Sequence, residues 1–376
     1  MLTRSSPFTP FRMPLFRPWA PRPLLVAALL LGAPLAAAAQ LKPPRVPDAG
    51  LPWRAGWNSA EDSATAALTE TRQVVISGPL AVTLDDGTRE VYGLELETGR
   101  PRFVLRPRGS GPGEFQRPLS IIPTPTGFAV WDIATNRLSA YTRQGTLAWD
   151  TPLPVGGNLV GMCVTPGPRI HVVLRQRDSS VLTFDTAGRS LGVRSVPWRT
   201  LPPKLPGFAY QGALTGDGSS GACAMAPLFG GEWAVIPDAG PIRTHALVTP
   251  GKPPAVKTTV ISREVTGLNS LRIRERQESK VPAVSAGVAM LGDTAFILAA
   301  EVTGYYRRVV DVYHLPTGRY VESRILPFLA SGLAVGPQGR HVVSYLRDEQ
   351  VGIAMLKRVP PPPGRQPSSA RRPSRK

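Results

Sequence analysis

Residues 109–147 read GSGPGEFQRPLSIIPTPTGFAVWDIATNRLSAYTRQGTL. A glycine-rich turn runs through Phe115 and Pro118 into an apolar run at 119–122. The turn 124–127 follows, then a strand at 128–131 that ends on Asp132. Asn136-Arg137 introduces a third strand at 138–141, and the turn at Gln144-Gly145 opens a fourth. Short apolar runs bounded by Gly, Pro, Asn and Asp specify antiparallel strands rather than helices.

Weaker copies recur along the chain, as expected of repeated supersecondary units. A small residue sits on a short apolar strand, usually two positions after a glycine, at Cys163, Cys223, Ala289 and Ala334, with Ser120 in the clearest copy. A second apolar strand follows each, at 128–131, 170–174, 233–236, 295–298 and 341–345, and 80–84 fits that slot in an earlier copy. Third strands recur at 91–96, 181–184 and 309–313. The copies fall near 70–115, 116–158, 159–200, 219–262, 283–327 and 328–358. From Ser120 to Ala334 the small residues are 43, 60, 66 and 45 apart. A four-stranded propeller blade takes roughly 40–50 residues, so two intervals carry insertions, the Pro-rich 201–212 and the charged 262–280. Innermost strands crowd around an axis, which accounts for glycine and a small residue heading each unit; an irregular β-sandwich gives no such reason. The expected fold is all-β, a six-bladed β-propeller of four-stranded antiparallel blades, with a seventh blade if residues 44–70 supply strands of their own.

Composition agrees. Gly 37 and Pro 42 make up about a fifth of the 376 residues, natural for a chain that turns every few residues. Helical periodicity is modest and confined to 61–68 and 268–277.

The order F-x-x-P at 115–118, V-x-D at 130–132, N-R at 136–137 and an aromatic at Tyr141 ahead of a polar turn resembles a blade of the NHL-type propeller family. The resemblance covers about a tenth of the chain. It implies that the G-x-G-P-G-E-F segment is a connection between blades, that Phe115 wedges between them, and that Asp132 accepts the loop amides before Asn136. It speaks to architecture more than to chemistry.

The ends read differently from the repeats. Arg4, Arg12, Arg17 and Arg22 precede an apolar run at 24–39 that closes on an A-x-A site at 37–39, the pattern of a secretory signal peptide. The organisation expected is a signal peptide at 1–39, a lead-in segment at 40–69, the propeller at 70–358 and a Pro/Arg-rich disordered tail at 359–376. The expected location is periplasmic or secreted.

The net charge of +18 is unevenly spread. The four leader arginines and the seven basic residues from Lys357 onward leave about +7 on the ring. Arg272, Arg274 and Arg276 alternate, so on an extended strand they share one face. Glu275 and Glu278 interrupt them and no aromatics are interleaved for base stacking, so nucleic acid is a poor fit. A basic rim suits an acidic polymer or head group better, and the tail suits an anionic envelope surface.

Cys163 and Cys223 are an even pair in a chain read as exported, which suggests a disulfide. They hold the same slot in consecutive units, so neighbouring inner strands bring them towards each other. Inner-strand separation competes with the roughly 4.4–6.8 Å between Cα atoms that a bridge needs. A bridge and two buried thiols both stay open.

Catalytic signals are sparse. His171, His245, His314 and His341 fall in different units. His171 and His341 take comparable second-strand positions, either facing a hub as metal ligands or packing between blades; no H-x-H, H-E-x-x-H or C-x-x-C spacing supports the first. The 109–113 glycines are not a phosphate loop, because Pro112 removes an amide and a strand follows. Glu114 is placed to accept backbone amides or pair with Arg108. The expected function is a non-catalytic scaffold, needing no cofactor and monomeric, that binds a protein, peptide or glycan through rim loops. Arg108, Glu114, Arg272, Arg274 and Arg276 are the candidate binding residues. The alternative is a metal-dependent hydrolase or lyase at the hub.

Overall fold

A computed structural model describes residues 53–60, 68–106, 108–155, 159–175, 180–201, 205, 207–249, 251–267, 270–347 and 350–358, without the side chains of 72, 263–277, 347 and 350. The segments expected to be a signal peptide and a disordered tail, most of the lead-in segment and nearly all of the helix candidate at 61–68 lie outside these residues.

Six four-stranded antiparallel sheets follow one another, with two short 3-10 turns at Gly207–Tyr210 and Pro337–Gly339. Each sheet begins with its innermost strand: Thr71–Ser77, Pro118–Thr124, Leu159–Val164, Gly212–Thr215, Ser285–Leu291 and Ala330–Gly336 in blades 1 to 6. This is a six-bladed β-propeller. Among the described residues no helix is long and apolar enough to cross a membrane.

The outermost strand of blade 6 comes from the other end of the chain. Trp53–Asn58 pairs antiparallel with Gln350–Arg358, so the lead-in adds an edge strand rather than a seventh blade. Its side chains tie the seam to both neighbouring blades. The Trp53 indole donates to the carbonyl of Ile325 in blade 5, and the Trp57 indole donates to Leu96 after the third strand of blade 1 at 2.8 Å.

The core is divided rather than central. Among the described residues, one apolar cluster fills each of the six gaps between successive blades. Between blades 1 and 2, Phe115 is buried with Val82 and Leu84 on one side and Phe128, Val130 and Tyr141 on the other. Alternation along each strand explains the division, because successive side chains point to opposite faces and so into opposite gaps.

Two readings need correction at blade 4. The strand carrying Cys223, Ala222–Pro227, is the second of that blade, and Glu232–Pro237 is the third. The innermost strand is the four-residue GALT at Gly212–Thr215, half-buried throughout, and it lacks the apolar run that marks the other inner strands. Of the segment at 268–277, residues 270–277 fall on a strand, Ser270–Ser279, paired with Val256–Gly267 in a two-stranded hairpin between blades 4 and 5, while 268 and 269 lie outside the described residues. Its Arg/Glu alternation has the two-residue period of a strand.

Both insertions adjoin blade 4, and the residues flanking the second pack on the first. Leu201, Ala209, Tyr210 and Phe229 form a seventh cluster, against which Phe208, Val256 and Val281 lie.

Candidate functional site

The connections between blades and the turns between second and third strands share one face of the ring, termed the upper face. The second-to-third-strand turns of blades 1 and 2 are built alike. Asp132 ends the second strand of blade 2 with a buried carboxylate. One oxygen accepts the amides of Ala134 (2.8 Å) and Thr135 (2.9 Å); the other accepts those of Gln116 (2.6 Å) and Arg117 (2.7 Å). Asp85 plays the same part in blade 1: its Oδ1 accepts the amides of Gly87 and Thr88 in the turn and of Glu70 in the incoming chain, and its Oδ2 accepts that of Thr69. Desolvation raises the pKa of Asp85, but the Thr69 hydroxyl and these amides outweigh it and hold the pKa below the ordinary carboxylate value. Each carboxylate thus stitches a turn to the connection entering its blade.

Between these stitched turns lies a groove of about 660 Å³ lined by Gly87–Glu90, Arg106, Arg108, Gly109, Phe115, Gln116 and Ala134. Arg89 donates to the carbonyl of Gln116 at 3.0 Å, and Arg106 pairs with Glu90 at 2.8 Å. The Arg108 backbone bridges to Phe115, and its exposed side chain has no hydrogen bond or ion pair among the described residues. Three guanidinium groups against one carboxylate make the groove basic. Arg89 holds φ +58°, in the left-handed region that Asn136 (φ +52°) occupies at the matching place in blade 2. Asparagine takes that conformation readily and arginine seldom does.

The expected binding residues divide in this geometry. Arg108 lines the groove. Glu114 is turned to its own loop, where its Oε2 accepts the amide of Gly111 at 2.7 Å. Gly109, at φ +155°, brings the backbone so close that a Cβ there would meet the Glu114 carboxylate at 2.1 Å. Arg272, Arg274 and Arg276 stand opposite Glu264, Ser262 and Thr259 in the hairpin register. They belong to a connection on the same face but between other blades. Arg89 and Arg106 escaped the sequence reading. The signal was present, because DDGTRE at 85–90 aligns with DIATNR at 132–137.

The histidines of the hub reading lie between blades. His171, fully buried in blade 3, hydrogen-bonds to the Thr183 hydroxyl (3.0 Å) and to Asp238 in blade 4 (3.1 Å), which also accepts from Thr165. Desolvation pushes its pKa down, against the Asp238 carboxylate. His341, in blade 6, donates from Nδ1 to the carbonyl of Gly339 and accepts at Nε2 from Arg324 in blade 5, both at 3.1 Å. Trp53 and Phe296 meet its ring edge to face at 4.5 and 5.5 Å. Burial first, then Arg324, lowers its pKa to about 3. Neither histidine lines the central channel. Among the described residues no group of three or more His, Cys, Asp and Glu is gathered.

Cys163 and Cys223 are joined, with Cα atoms 6.4 Å apart. The bridge runs from the innermost strand of blade 3 to the second strand of blade 4, not between two inner strands as the repeat alignment implied.

No protein-family profile matches the chain, and no curated protein does. Solved structures resemble it weakly. Virginiamycin B lyase from Staphylococcus aureus is 13% identical, with a TM-score of 0.44 over 77% of this chain and 80% of that one. The WD40 domain of Pan2 from Neurospora crassa is 12% identical, with a TM-score of 0.45 over 82% and 96%. A Bacteroides fragilis protein of inferred export is 12% identical, with a TM-score of 0.46 over 77% and 90%. Likenesses of this size carry no argument about family or activity; the NHL resemblance rests on the blade at 109–147 alone.

Proposed function

We propose that this protein is an exported, non-catalytic scaffold that binds a protein, peptide or glycan through the loops of its upper face. One contrast supports the reading. The buried polar groups His171, His341, Asp85, Asp132 and Glu232 are engaged in holding blades and turns together. The loops they hold present unpaired or lightly paired cations in a groove of ligand size. Scaffolded loops of this kind are where propellers place recognition, whatever the ligand. The disulfide suits an oxidising compartment, in keeping with the leader at 1–39.

The groove favours a ligand that carries carboxylate or sulfate groups, since arginine pairs with such anions through a planar fork. The test is a panel of acidic peptides and of uronate and sulfated glycans, probed with the chain from Gln40 and with an Arg89→Ala/Arg108→Ala double variant. The expected result is binding to members of one class, weakened tenfold or more in the double variant and by raised salt. Equal binding by both proteins, or none to any member, overturns the proposal.

A further inference from the structure

The six innermost strands enclose a channel of about 370 Å³, at the small end of the roughly 300–1,000 Å³ that ligand pockets span. Each strand contributes an apolar side chain to its wall: Val75, Leu119, Val160, Leu214, Val288 and Leu333. Leu119 is 45% exposed although it belongs to an innermost strand, so apolar surface is left facing the lumen.

Polar groups are unevenly distributed along this lumen. At the upper mouth stands Arg175, exposed and with no hydrogen bond or ion pair among the described residues. The turn at Gly207–Tyr210 backs it, since a Cβ on Gly207 would meet the Arg175 carbonyl at 2.5 Å. Gln73 accepts the amide of Ile121 at 3.0 Å, which leaves its carboxamide nitrogen without a partner among the described residues. Asp86, at the same mouth, has a partner of its own. Asp217, towards the other end, accepts the amides of Ser219, Ser220 and Gly292 at 2.7–2.8 Å. The channel therefore offers spare donors and a spare positive charge at one end of a mixed wall, in which one apolar side chain per strand stands among glycines and the hydroxyls of Ser120, Thr215 and Ser331, while its acids are already engaged.

We propose that the channel binds a small amphiphilic monoanion, an acyl or aryl carboxylate, with its apolar body along the inner strands and its head group on Arg175. This site is separate from the rim groove and does not depend on it.

The probes are decanoate and, as the uncharged control, decanol, titrated calorimetrically into the chain from Gln40. Arg175→Gln keeps a polar side chain and removes the charge. Gly287→Leu adds bulk to the wall, where a Cβ would meet only Leu298 at an ordinary 3.8 Å. Leu119→Glu puts a like charge at an exposed wall position and keeps the test open if Gly287→Leu does not fold. The expected result is saturable decanoate binding, weakened tenfold or more by Arg175→Gln and by Leu119→Glu, and lost in folded Gly287→Leu. Decanol should bind wild type and Arg175→Gln alike. No saturable decanoate binding, or equal affinity in Arg175→Gln, overturns the proposal. An anion bound only through the rim would instead respond to Arg89→Ala/Arg108→Ala and not to Arg175→Gln, which also overturns it.

Discussion

Acid should weaken this ring at one identifiable seam, between blades 5 and 6. His341 receives a hydrogen bond from Arg324 at Nε2 and gives one to Gly339 from Nδ1, an arrangement that only the neutral imidazole satisfies. A proton on Nε2 would face the guanidinium that now donates to it. Burial, and then Arg324, brings the folded pKa from the ordinary 6.5 down to about 3. At about 1.36 kcal/mol per unit the full linkage is roughly 5 kcal/mol. The unfolded chain takes up its proton first, so the contribution is complete above pH 6.5, falls as the pH drops through the window from 6.5 to 3, and is gone below it. At pH 4.5, well inside that window, the loss is roughly 3 kcal/mol. Urea unfolding of wild type and His341→Gln between pH 7 and 4.5 measures it. Burial also lowers the pKa of His171 and His245, a contribution common to both proteins, so the difference between them isolates His341. The variant should be less stable at pH 7, and its stability should fall about 2–3 kcal/mol less on acidification. Parallel pH profiles, or a His341 imidazole resonance titrating above pH 5, would refute the reasoning.

Other perturbations have their own readouts. Cys163→Ser/Cys223→Ser should lower stability by at most about 4 kcal/mol, the chain-entropy value for a loop of 60 residues, and reductant should produce the same change in urea unfolding of wild type only. Asp132→Asn deprives two pairs of backbone amides of a charged acceptor and should cost roughly 2–4 kcal/mol, with hydrogen exchange rising at Gln116, Arg117, Ala134 and Thr135 and little elsewhere. Phe115→Ala empties the wedge between blades 1 and 2 and should cost about 3–5 kcal/mol by chemical denaturation; a cost under 1 kcal/mol would mean that the wedge is not what joins them.

Blade 2 was readable because every strand and turn in it carries its own signal. Asp132 and Phe115 are bound to local motifs, and the structure places them as those motifs imply. Blade 4 was misread by one strand, because GALT is short and half-buried while Gly221-Ala-Cys223 imitates the head of a unit. Six blades were legible from spacing, but the partner of Trp53–Asn58 was not, since nothing local in that strand names an edge almost the whole chain away. The groove was legible only in part. Arg108 belongs to a motif, whereas Arg89 and Arg106 become its neighbours through a fold that brings a turn beside a connection. The channel mouth was beyond reach, because Arg175 is an unremarkable arginine until six strands converge beneath it.

The strand that completes blade 6 is among the first parts of the ring to be synthesised, and the edge it must cover is among the last. Ser59 and Ile353, which exchange hydrogen bonds across this join, are 294 residues apart in the chain. Contacts at such separation form late and slow a fold, because the loop must close before they return any energy. Until then Gln350–Arg358 has an unpaired row of amides and carbonyls, the kind of edge through which chains add to one another. A second molecule's 53–58 segment carries the same residues as the resident one, so incomplete rings at high concentration have a ready route to exchanged-strand dimers. Dilution during refolding should therefore raise the yield of monomer, and a soluble peptide of sequence 53–60 should compete for the open edge.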